Sequence, residues 1–189
     1  MPFRFQDLSL PGLVLIERKR FSDCRGYFEE QYKSSEFQAY GVPERFPQGN
    51  LSFSRGGILR GLHFQYPPKA QGKLVSVLVG EILDVAVDLR AGSPGFRRWE
   101  GVILSEANRL ALYIPEGFAH GFLVLSETAY VTYRVTEEYS PALDAGIRWD
   151  DPDIGIEWPV PCPQLSDKDR LLPCFRELHE APIFVYEEE

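Results

Sequence analysis

Two runs of β-branched and aliphatic residues flank a single turn in the stretch KLVSVLVGEILDVAVDL, residues 73–89. Neither run places its apolar residues at the 3.6-residue period of a helix. Gly80 and Glu81 supply the turn between them. The stretch therefore predicts two consecutive strands and points to an all-β chain.

Similar strand patterns surround this pair on both sides. Short runs rich in Val, Leu, Ile and Tyr are separated by Gly- and Pro-containing turns. The seven clearest predicted strands are 58–65, 73–79, 82–89, 98–104, 110–114, 120–125 and 128–135. Strands at spacings of roughly 8–12 residues are typical of a sandwich, jelly roll or barrel. We therefore predict an all-β fold, a jelly roll or β-barrel, with a few short peripheral helices.

Helix signals are few and short. A capping box starting at Ser35 predicts a helix that ends near Gly41, and Ser166 predicts the start of another of one or two turns. No linker, repeat or low-complexity stretch divides the chain, so we predict one domain over residues 1–189, with residues 180–189 as a peripheral tail. The Pro-rich stretch 152–163 is predicted to be ordered, because it also contains large apolar residues.

Charge and cysteine content exclude several classes of partner. The net charge of −8, from 20 Lys and Arg against 28 Asp and Glu, argues against nonspecific nucleic-acid binding. The sequence has no run of 18 apolar residues, and its start lacks the pattern of a signal peptide. Three cysteines without C-x-x-C spacing do not indicate a disulfide framework. We expect a cytoplasmic protein that binds neither nucleic acid nor a membrane.

Alternation along the predicted strands places titratable side chains on apolar faces. His63, His120 and Tyr133 each share a strand face with apolar neighbours, and Lys73 shares its face with the valines at 75, 77 and 79. If these faces line one interior, they form an apolar cavity with a few polar groups, which is typical of a ligand site. A single His, Tyr or Lys at such a position more often has a structural role than a functional one. The alternation along the strands therefore does not by itself establish a site.

Two further features of the strand faces are left open by the pattern. Arg60 has the opposite parity to His63, but a bulge at Gly61 would bring both side chains to the same side. Asp84 and Asp88 share a face on which burial without a partner would be costly. They either pair with interior cations or lie at the surface near the mouth of a barrel.

Two short motifs bear on metal binding. Residues 57–65 have the G-x5-H-x pattern, and residues 115–120 the P-x-G-x-x-H pattern, of the two cupin motifs. Metal-binding cupins have a second His and a Glu in the first motif, whereas this chain has Gln65 in place of the His and Lys69 and Ala70 where the Glu would lie. Two His residues without a carboxylate are a poor ligand set for a first-row metal. We therefore predict a cupin jelly roll without a metal site or cofactor.

Nine separated motifs, in order and with similar spacing between about residue 3 and residue 173, carry a resemblance to one family. They are Asp23-x-Arg25-Gly26-x-Phe28-x-Glu30, Gln48-x-Asn50-x-Ser52-x-Ser54, Leu59 to Gln65, Gln71-x-Lys73-Leu74-Val75, Gly80 to Arg90, Pro115 to Phe122, Tyr133, Trp149-x-Asp151-Pro152 and Leu165 to Asp169. The set resembles the dTDP-4-dehydrorhamnose 3,5-epimerases, the non-metal cupins of deoxysugar biosynthesis.

The resemblance implies a reaction that inverts the carbons flanking the C4 ketone of a nucleotide-linked 6-deoxy sugar. A hydrogen α to the carbonyl is removed from one face, an enolate forms, and a proton returns to the other face. The resemblance implies His63 as the base, with Asp169 fixing its tautomer. It implies Lys73 as the cation that stabilises the enolate oxygen, and Tyr133 as the acid on the opposite wall.

Further positions are implied in substrate binding. Arg25 and Arg60 are the candidates for the diphosphate, because a guanidinium can form paired hydrogen bonds with phosphate oxygens. The other implied positions are Glu29, Gln48, Asn50, His120, Asp144 and Lys168. In the family the N-terminal segment often reaches into the neighbouring subunit. The resemblance therefore implies a homodimer in which Arg25 and Glu29 serve the site of the partner.

The expected activity is cofactor-independent 3,5-epimerisation of dTDP-4-keto-6-deoxy-D-glucose in dTDP-L-rhamnose biosynthesis. One alternative is a monoepimerase that inverts only C3 or C5, which differs in how Tyr133 and the sugar ring are placed. The other is a non-catalytic cupin that binds a sugar nucleotide, which would retain its ligand without proton exchange.

Overall fold

The computed structural model describes residues 1–178 and 183–187, whose two larger sheets are antiparallel and face each other. The strands are β1 Phe3–Asp7, β2 Val14–Arg18, β3 Arg20–Asp23, β4 Gly26–Glu29, β5 Gln48–Arg55, β6 Leu59–Gln65, β7 Lys73–Val79, β8 Glu81–Asp88, β9 Arg90–Ala91, β10 Trp99–Ser105, β11 Leu110–Ile114, β12 Phe118–Val124, β13 Thr128–Val135, β14 Asp144–Gly146 and β15 Phe184–Val185. The larger sheet has the order β1-β2-β11-β7-β13-β5, and the smaller one β10-β8-β12-β6-β14. The predicted all-β class is confirmed.

The seven predicted strands all form, with ends shifted by at most two residues. The strands that precede them, β1 to β5, were not predicted. Of these, β3 and β4 form a separate hairpin in which most side chains are exposed, so they have no apolar face for alternation to reveal.

The main core lies between the two sheets. Val75, Val77 and Val131 contribute to it from the larger sheet, and Ile82 and Phe122 from the smaller one, each at most 4% exposed. Burial of such side chains stabilises the fold by about 1.5–3 kcal/mol each. The core therefore holds the two sheets together.

The prediction that Val79 faces the interior is wrong. Val79 is 45% exposed, because the pairing of β13 with β7 shifts register next to it. Tyr130 pairs with Val79 while Val131 pairs with Val77, so Leu78 is an extra residue in the strand. The bulge reverses the parity of the last residue of β7.

The outer face of the smaller sheet is covered by a second apolar cluster. The Pro-rich stretch 152–163 is ordered, as predicted: Ile154 is buried in this cluster, and Trp158 Nε1 donates to the carbonyl oxygen of Trp149 at 2.8 Å. Part of the predicted tail is also attached, since β15 pairs in parallel with β9 and buries Phe184. Residues 179–182 and 188–189 of the chain lie outside the described residues.

The short helices form near their predicted positions. Helix α1 spans Ser34–Gln38, but Lys33 is its N-cap without a side-chain hydrogen bond, so the predicted capping box at Ser35 is wrong. Helix α2 spans Asp167–Arg170, and Ser166 Oγ accepts a hydrogen bond from the Asp169 backbone N–H at 3.1 Å, as predicted. No helix in the described part of the chain has the length and apolar content that a membrane span requires.

Candidate active site

A cavity of about 480 Å³ lies between the two sheets and is bounded by side chains of both. Ten of the twelve predicted site residues line it: His63, Lys73, Tyr133, Asp169, Gln48, Asn50, Arg60, His120, Asp144 and Lys168. Ser52, Gln71, Phe122, Tyr139 and Ser166 also line it and were not predicted. The strand faces identified by parity therefore do meet around one cavity.

His63 and Asp169 form a close pair in this cavity although they are 106 residues apart in the chain. His63 Nε2 donates to Asp169 Oδ1 at 2.7 Å, and the carboxylate is almost fully buried. Burial alone would raise the pKa of Asp169, but its hydrogen bonds with His63 and Gly61 hold that pKa below the usual value. Because Asp169 is ionised and occupies Nε2, the proton of neutral His63 lies on Nε2 and the lone pair of Nδ1 is free.

A bulge at Gly61 places Arg60 in the same cavity as His63, as predicted. In the pairing of β12 with β6, Phe122 is opposite Arg60 and His120 is opposite His63, so β6 contains one extra residue. A side chain at Gly61 would place its Cβ 2.5 Å from the Cα of Gly121, and its φ of +129° also favours glycine.

The Arg60 guanidinium is held by fixed groups on β5. Its Nε donates to Ser54 Oγ at 3.0 Å, and its Nη2 donates to the carbonyl oxygen of Phe53 at 3.2 Å. Neither partner is an acid, so the positive charge of Arg60 is not neutralised by these contacts.

Lys73 is buried at the start of β7, on the wall opposite β6. Its Nζ donates to the carbonyl oxygen of His63 at 3.0 Å, and the residue is 7% exposed. Burial lowers the pKa of the ammonium to about 8, although Asp84 and Asp144 partly oppose that shift. The cavity therefore contains an ammonium next to the residue that carries the predicted base.

His120 and Asp84 form a second histidine–carboxylate pair on the smaller sheet. His120 Nε2 lies 2.7 Å from Asp84 Oδ1, and both side chains are buried. Burial lowers the pKa of His120, despite the opposing effect of Asp84, and keeps the ring neutral. Asp84 thus pairs with a group in the interior, which settles the question that the sequence left open.

Asp88 lies on the same strand face as Asp84, but its side chain stabilises the fold and does not contribute to the cavity. Its carboxylate accepts hydrogen bonds from the Arg90 guanidinium at 2.9 and 2.8 Å and from Ser93 Oγ at 2.6 Å. Asp88 is fully buried, yet it does not line the cavity.

Tyr133 reaches the cavity from β13 of the larger sheet, whereas His63 reaches it from β6 of the smaller sheet. The register pairs Tyr133 with Asn50 of β5 and Val75 of β7. Burial raises the pKa of the phenol, with Arg60 acting in the opposite direction, so the hydroxyl stays protonated at neutral pH. An imidazole and a phenol thus belong to opposite walls.

Asp144, Lys168 and Tyr139 form a polar group at the edge of the cavity. The Tyr139 hydroxyl donates to Asp144 Oδ2 at 2.9 Å, and Lys168 Nζ donates to the same oxygen. Tyr139 follows β13 in an irregular segment, so strand parity could not reveal it; its proximity in sequence to Tyr133 was the only available signal.

Arg25 and Glu29 are the two predicted residues that do not reach the cavity of their own chain. Arg25 lies in the turn of the β3–β4 hairpin with its side chain 85% exposed, where it pairs with Asp23. The side chain of Glu29 is 4% exposed and forms ion pairs with Arg18 at 3.4 Å and Arg20 at 3.2 Å. Glu29 therefore stabilises the base of the hairpin.

The described residues, 1–178 and 183–187, contain no group of three or more His, Cys, Asp or Glu side chains arranged as a metal ion would require. Gln65 occupies the position of the second His of the cupin motif, and its amide is hydrogen-bonded to backbone groups. The residues present therefore do not form a metal-ligand set.

Comparison with known proteins supports one family. Residues 7–177 match the sequence profile of the family described as dTDP-4-dehydrorhamnose 3,5-epimerase. The chain is 50% identical over 186 residues to a dTDP-4-dehydrorhamnose 3,5-epimerase of Methanothermobacter thermautotrophicus, with 97% of this chain and 98% of that protein covered.

Solved structures agree with this match. A dTDP-6-deoxy-D-glucose-3,5-epimerase from Legionella pneumophila, in complex with dTDP-4-keto-L-rhamnose, is similar with a TM-score of 0.94 at 41% identity, covering 98% of this chain and 100% of that one. A 3'-monoepimerase from Streptomyces bikiniensis, in complex with dTDP-quinovose, gives a TM-score of 0.82 at 37% identity, covering 88% and 85%. The predicted cupin-type fold is confirmed, and the chain belongs to the dTDP-4-dehydrorhamnose 3,5-epimerase family.

Proposed function

We propose that the protein is an isomerase that inverts C3 and C5 of dTDP-4-keto-6-deoxy-D-glucose, the 3,5-epimerisation of dTDP-L-rhamnose biosynthesis. One observation carries the proposal: an imidazole paired with a buried carboxylate and a protonated phenol belong to opposite walls of one cavity, which also contains a buried ammonium. Inversion needs proton removal on one face of the sugar and proton delivery on the other.

Proton removal is assigned to His63. Its Nδ1 lone pair takes the hydrogen α to the C4 ketone, and the electron pair of the C–H bond moves onto the ketone oxygen to give an enolate. The resulting imidazolium donates Nε2–H to Asp169, which lies 2.7 Å away. Asp169 thereby keeps the tautomer fixed before the transfer and stabilises the positive ring after it.

Charge stabilisation and proton return are assigned to Lys73 and Tyr133. The ammonium of Lys73, which is only 7% exposed, faces the developing enolate oxygen, where a fixed charge contributes several kcal/mol. The hydroxyl of Tyr133 gives its proton to the carbon from the wall opposite His63. The phenolate then recovers a proton from solvent, and the imidazolium of His63 releases to solvent the proton that it removed. One such cycle inverts one carbon, and a second cycle inverts the other.

Arg60 is assigned to the diphosphate of the substrate. Its guanidinium is oriented by Ser54 and Phe53 without an acidic partner, so it can bind phosphate oxygens. A local cation matters in a chain whose net charge is −8, because the overall field repels an anionic ligand.

The proposed reaction needs no cofactor. His63, Lys73 and Tyr133 supply both proton transfers and the stabilising charge in each cycle. We place the enzyme in the cytoplasm, a reducing compartment that suits its three free cysteines.

Proton NMR of dTDP-4-keto-6-deoxyglucose incubated with the enzyme in D2O tests the proposal. The signals at C3 and C5 should both disappear, because each enolate is quenched with solvent deuterium. Loss of one signal would instead identify a monoepimerase and name its carbon. Persistence of both signals, while a known 3,5-epimerase removes them, would reject epimerisation of this substrate and favour a binding role.

The pKa of Lys73 predicts how the activity falls at alkaline pH. Lys73, with a pKa of about 8 instead of 10.5, is charged below pH 8 and neutral above it. We expect kcat/KM to fall by about tenfold per pH unit above pH 8, since the ammonium that stabilises the enolate is lost. Initial rates between pH 6 and 10 measure this, and a flat profile up to pH 10 would contradict the assignment of Lys73.

We also propose a homodimer in which the β3–β4 hairpin of each chain completes the site of the other. Three aromatic side chains of this hairpin are exposed, Phe21 at 46%, Tyr27 at 61% and Phe28 at 65%. Such an exposed aromatic cluster is unfavourable in a monomer and is typical of an interaction surface. Arg25 lies in the turn of this hairpin and remains outside its own chain's cavity, which fits a role in the partner's site.

Mixed dimers test this exchange. We expect the Arg25→Ala and His63→Ala variants to be weakly active or inactive alone, yet to recover about a quarter of wild-type activity when co-expressed in equal amounts. Random pairing makes half of the dimers mixed, and each mixed dimer contains one site with both residues intact. If Arg25 served its own chain, every mixed site would lack one residue and no activity would return. Light scattering of the same samples gives the oligomeric state.

A further inference from the structure

The segment 136–140 lies next to the cavity without regular secondary structure, between the end of β13 and the turn before β14. It carries Tyr139, whose hydroxyl contacts Asp144 at the edge of the cavity. A segment outside a sheet has backbone groups that need other partners, and these partners determine where its side chains lie.

Side-chain amides of three glutamines provide those partners. The carbonyl oxygens of Glu137 and Glu138 accept from the amides of Gln71 at 2.7 Å and Gln65 at 3.3 Å. The backbone N–H groups of Tyr139 and Ser140 donate to Gln48 Oε1 at 2.8 Å and to Gln65 Oε1 at 2.6 Å. Four consecutive residues of the segment are thus each held by one of Gln48, Gln65 and Gln71, which we name the glutamine clamp.

Gln65 is the central member of the clamp. It is 2% exposed, and besides its two bonds to the segment its Nε2 donates to the carbonyl oxygen of Lys69 at 2.7 Å. Its amide therefore uses both donor hydrogens and its acceptor at the same time. A carboxylate has no donor, and an imidazole cannot supply two donors and an acceptor at the same time. The amide is therefore specifically suited to this position.

We propose that Gln65 is a positioning residue for substrate binding. It occupies the place that a metal ligand has in other cupins, and it uses that place to hold the segment 136–140, and through it Tyr139, at the edge of the cavity. Gln65 acts through the backbone of the segment and does not take part in proton transfer. This inference rests on the proposed function, because it assigns Tyr139 and Asp144 to the binding of the sugar nucleotide.

The test is the Gln65→Glu variant, which keeps the shape of the side chain and removes both donors. Its carboxylate would face the carbonyl oxygens of Lys69 and Glu138, so we expect KM to rise about tenfold at pH 8 while kcat changes little. Burial raises the pKa of a carboxyl group, and the protonated acid can donate to one carbonyl again. The rise in KM relative to wild type should therefore shrink at pH 5.5.

Two further variants make the result specific. Gln38→Glu introduces the same charge at an exposed position of α1 and should leave KM unchanged at both pH values. Gln71→Glu breaks only the bond to the carbonyl oxygen of Glu137, and it should give a smaller KM increase with the same pH dependence. It also provides the measurement if Gln65→Glu does not fold.

Hydrogen–deuterium exchange gives a readout that is independent of activity. Peptides covering residues 136–141 should exchange faster in Gln65→Glu than in wild type or Gln38→Glu, because the carbonyl oxygen of Glu138 loses its donor and the carboxylate repels it, which loosens the segment. Unchanged exchange together with an unchanged KM, in an otherwise active protein, would overturn the proposal, as would a fall in kcat at constant KM. If wild-type protein fails to epimerise the substrate, the proposed function fails, and the exchange measurement alone decides whether the clamp exists.

Discussion

Replacing His63 with alanine is expected to lower the rate of proton exchange at C3 and C5 by about 10²–10⁴-fold, the usual contribution of a general base. The imidazole is the group that Asp169 orients at 2.7 Å, and the side chain left by the substitution cannot accept a proton. The affinity for dTDP should stay unchanged, because the proposed phosphate contact is Arg60. NMR in D2O gives the exchange rate, and calorimetry gives the dTDP affinity.

The Asp169→Asn variant is the companion measurement. It removes the charge behind His63 while keeping the shape of the side chain, so we expect loss of exchange in the same direction with dTDP binding retained. Loss of folding or of nucleotide binding in His63→Ala would count against its assignment as the base.

Replacing Tyr133 with phenylalanine is expected to separate proton exchange from inversion. His63 can still remove the hydrogen, and its imidazolium can trade the proton with solvent because the side chain is 30% exposed. Without the phenol no proton arrives from the opposite wall, so inversion should slow by about 10²–10⁴-fold. We expect NMR in D2O to detect substrate that has gained deuterium and kept its configuration.

Tyr130→Phe is the matched control for this variant. Tyr130 lies on the same strand, but it is 40% exposed and does not line the cavity, so its hydroxyl should not affect turnover. Inversion by Tyr133→Phe at the wild-type rate would mean that another group is the acid.

The sequence predicts the β-core and most of the cavity because both depend on local rules. A period of two assigns His63, Lys73 and Tyr133 to apolar faces, and Gly61 explains how Arg60 joins them. Asp169 is different, since it approaches His63 from a helix 106 residues away. Only the family resemblance pointed to that residue, because no local pattern encodes a contact of this length.

The features that the sequence does not predict depend on contacts between segments that are distant in the chain. The exposure of Val79 results from a register shift in the pairing of β7 with β13. The sequence of β7 alone does not predict that shift. The partner of Asp84 depends on how β8 pairs with β12, and the position of Tyr139 depends on side chains that hold an irregular segment. Arg25 lies outside its own cavity, and the sequence of one chain does not distinguish its own site from the site of a partner.

Strands β6 and β12 approach each other closely at Gly61 and Gly121, and this backbone contact fixes a distance within the site. Each glycine lies against the backbone of the other strand, with 2.5 Å from a Cβ at Gly61 to Gly121 Cα and 2.7 Å from a Cβ at Gly121 to the Arg60 carbonyl oxygen. The spacing between Arg60, the proposed phosphate contact, and His63, the proposed base, is therefore set by main chain that tolerates no added side chain. On the proposed assignments, this fixed spacing sets the distance between the diphosphate and the reacting carbons of a sugar nucleotide bound in the cavity.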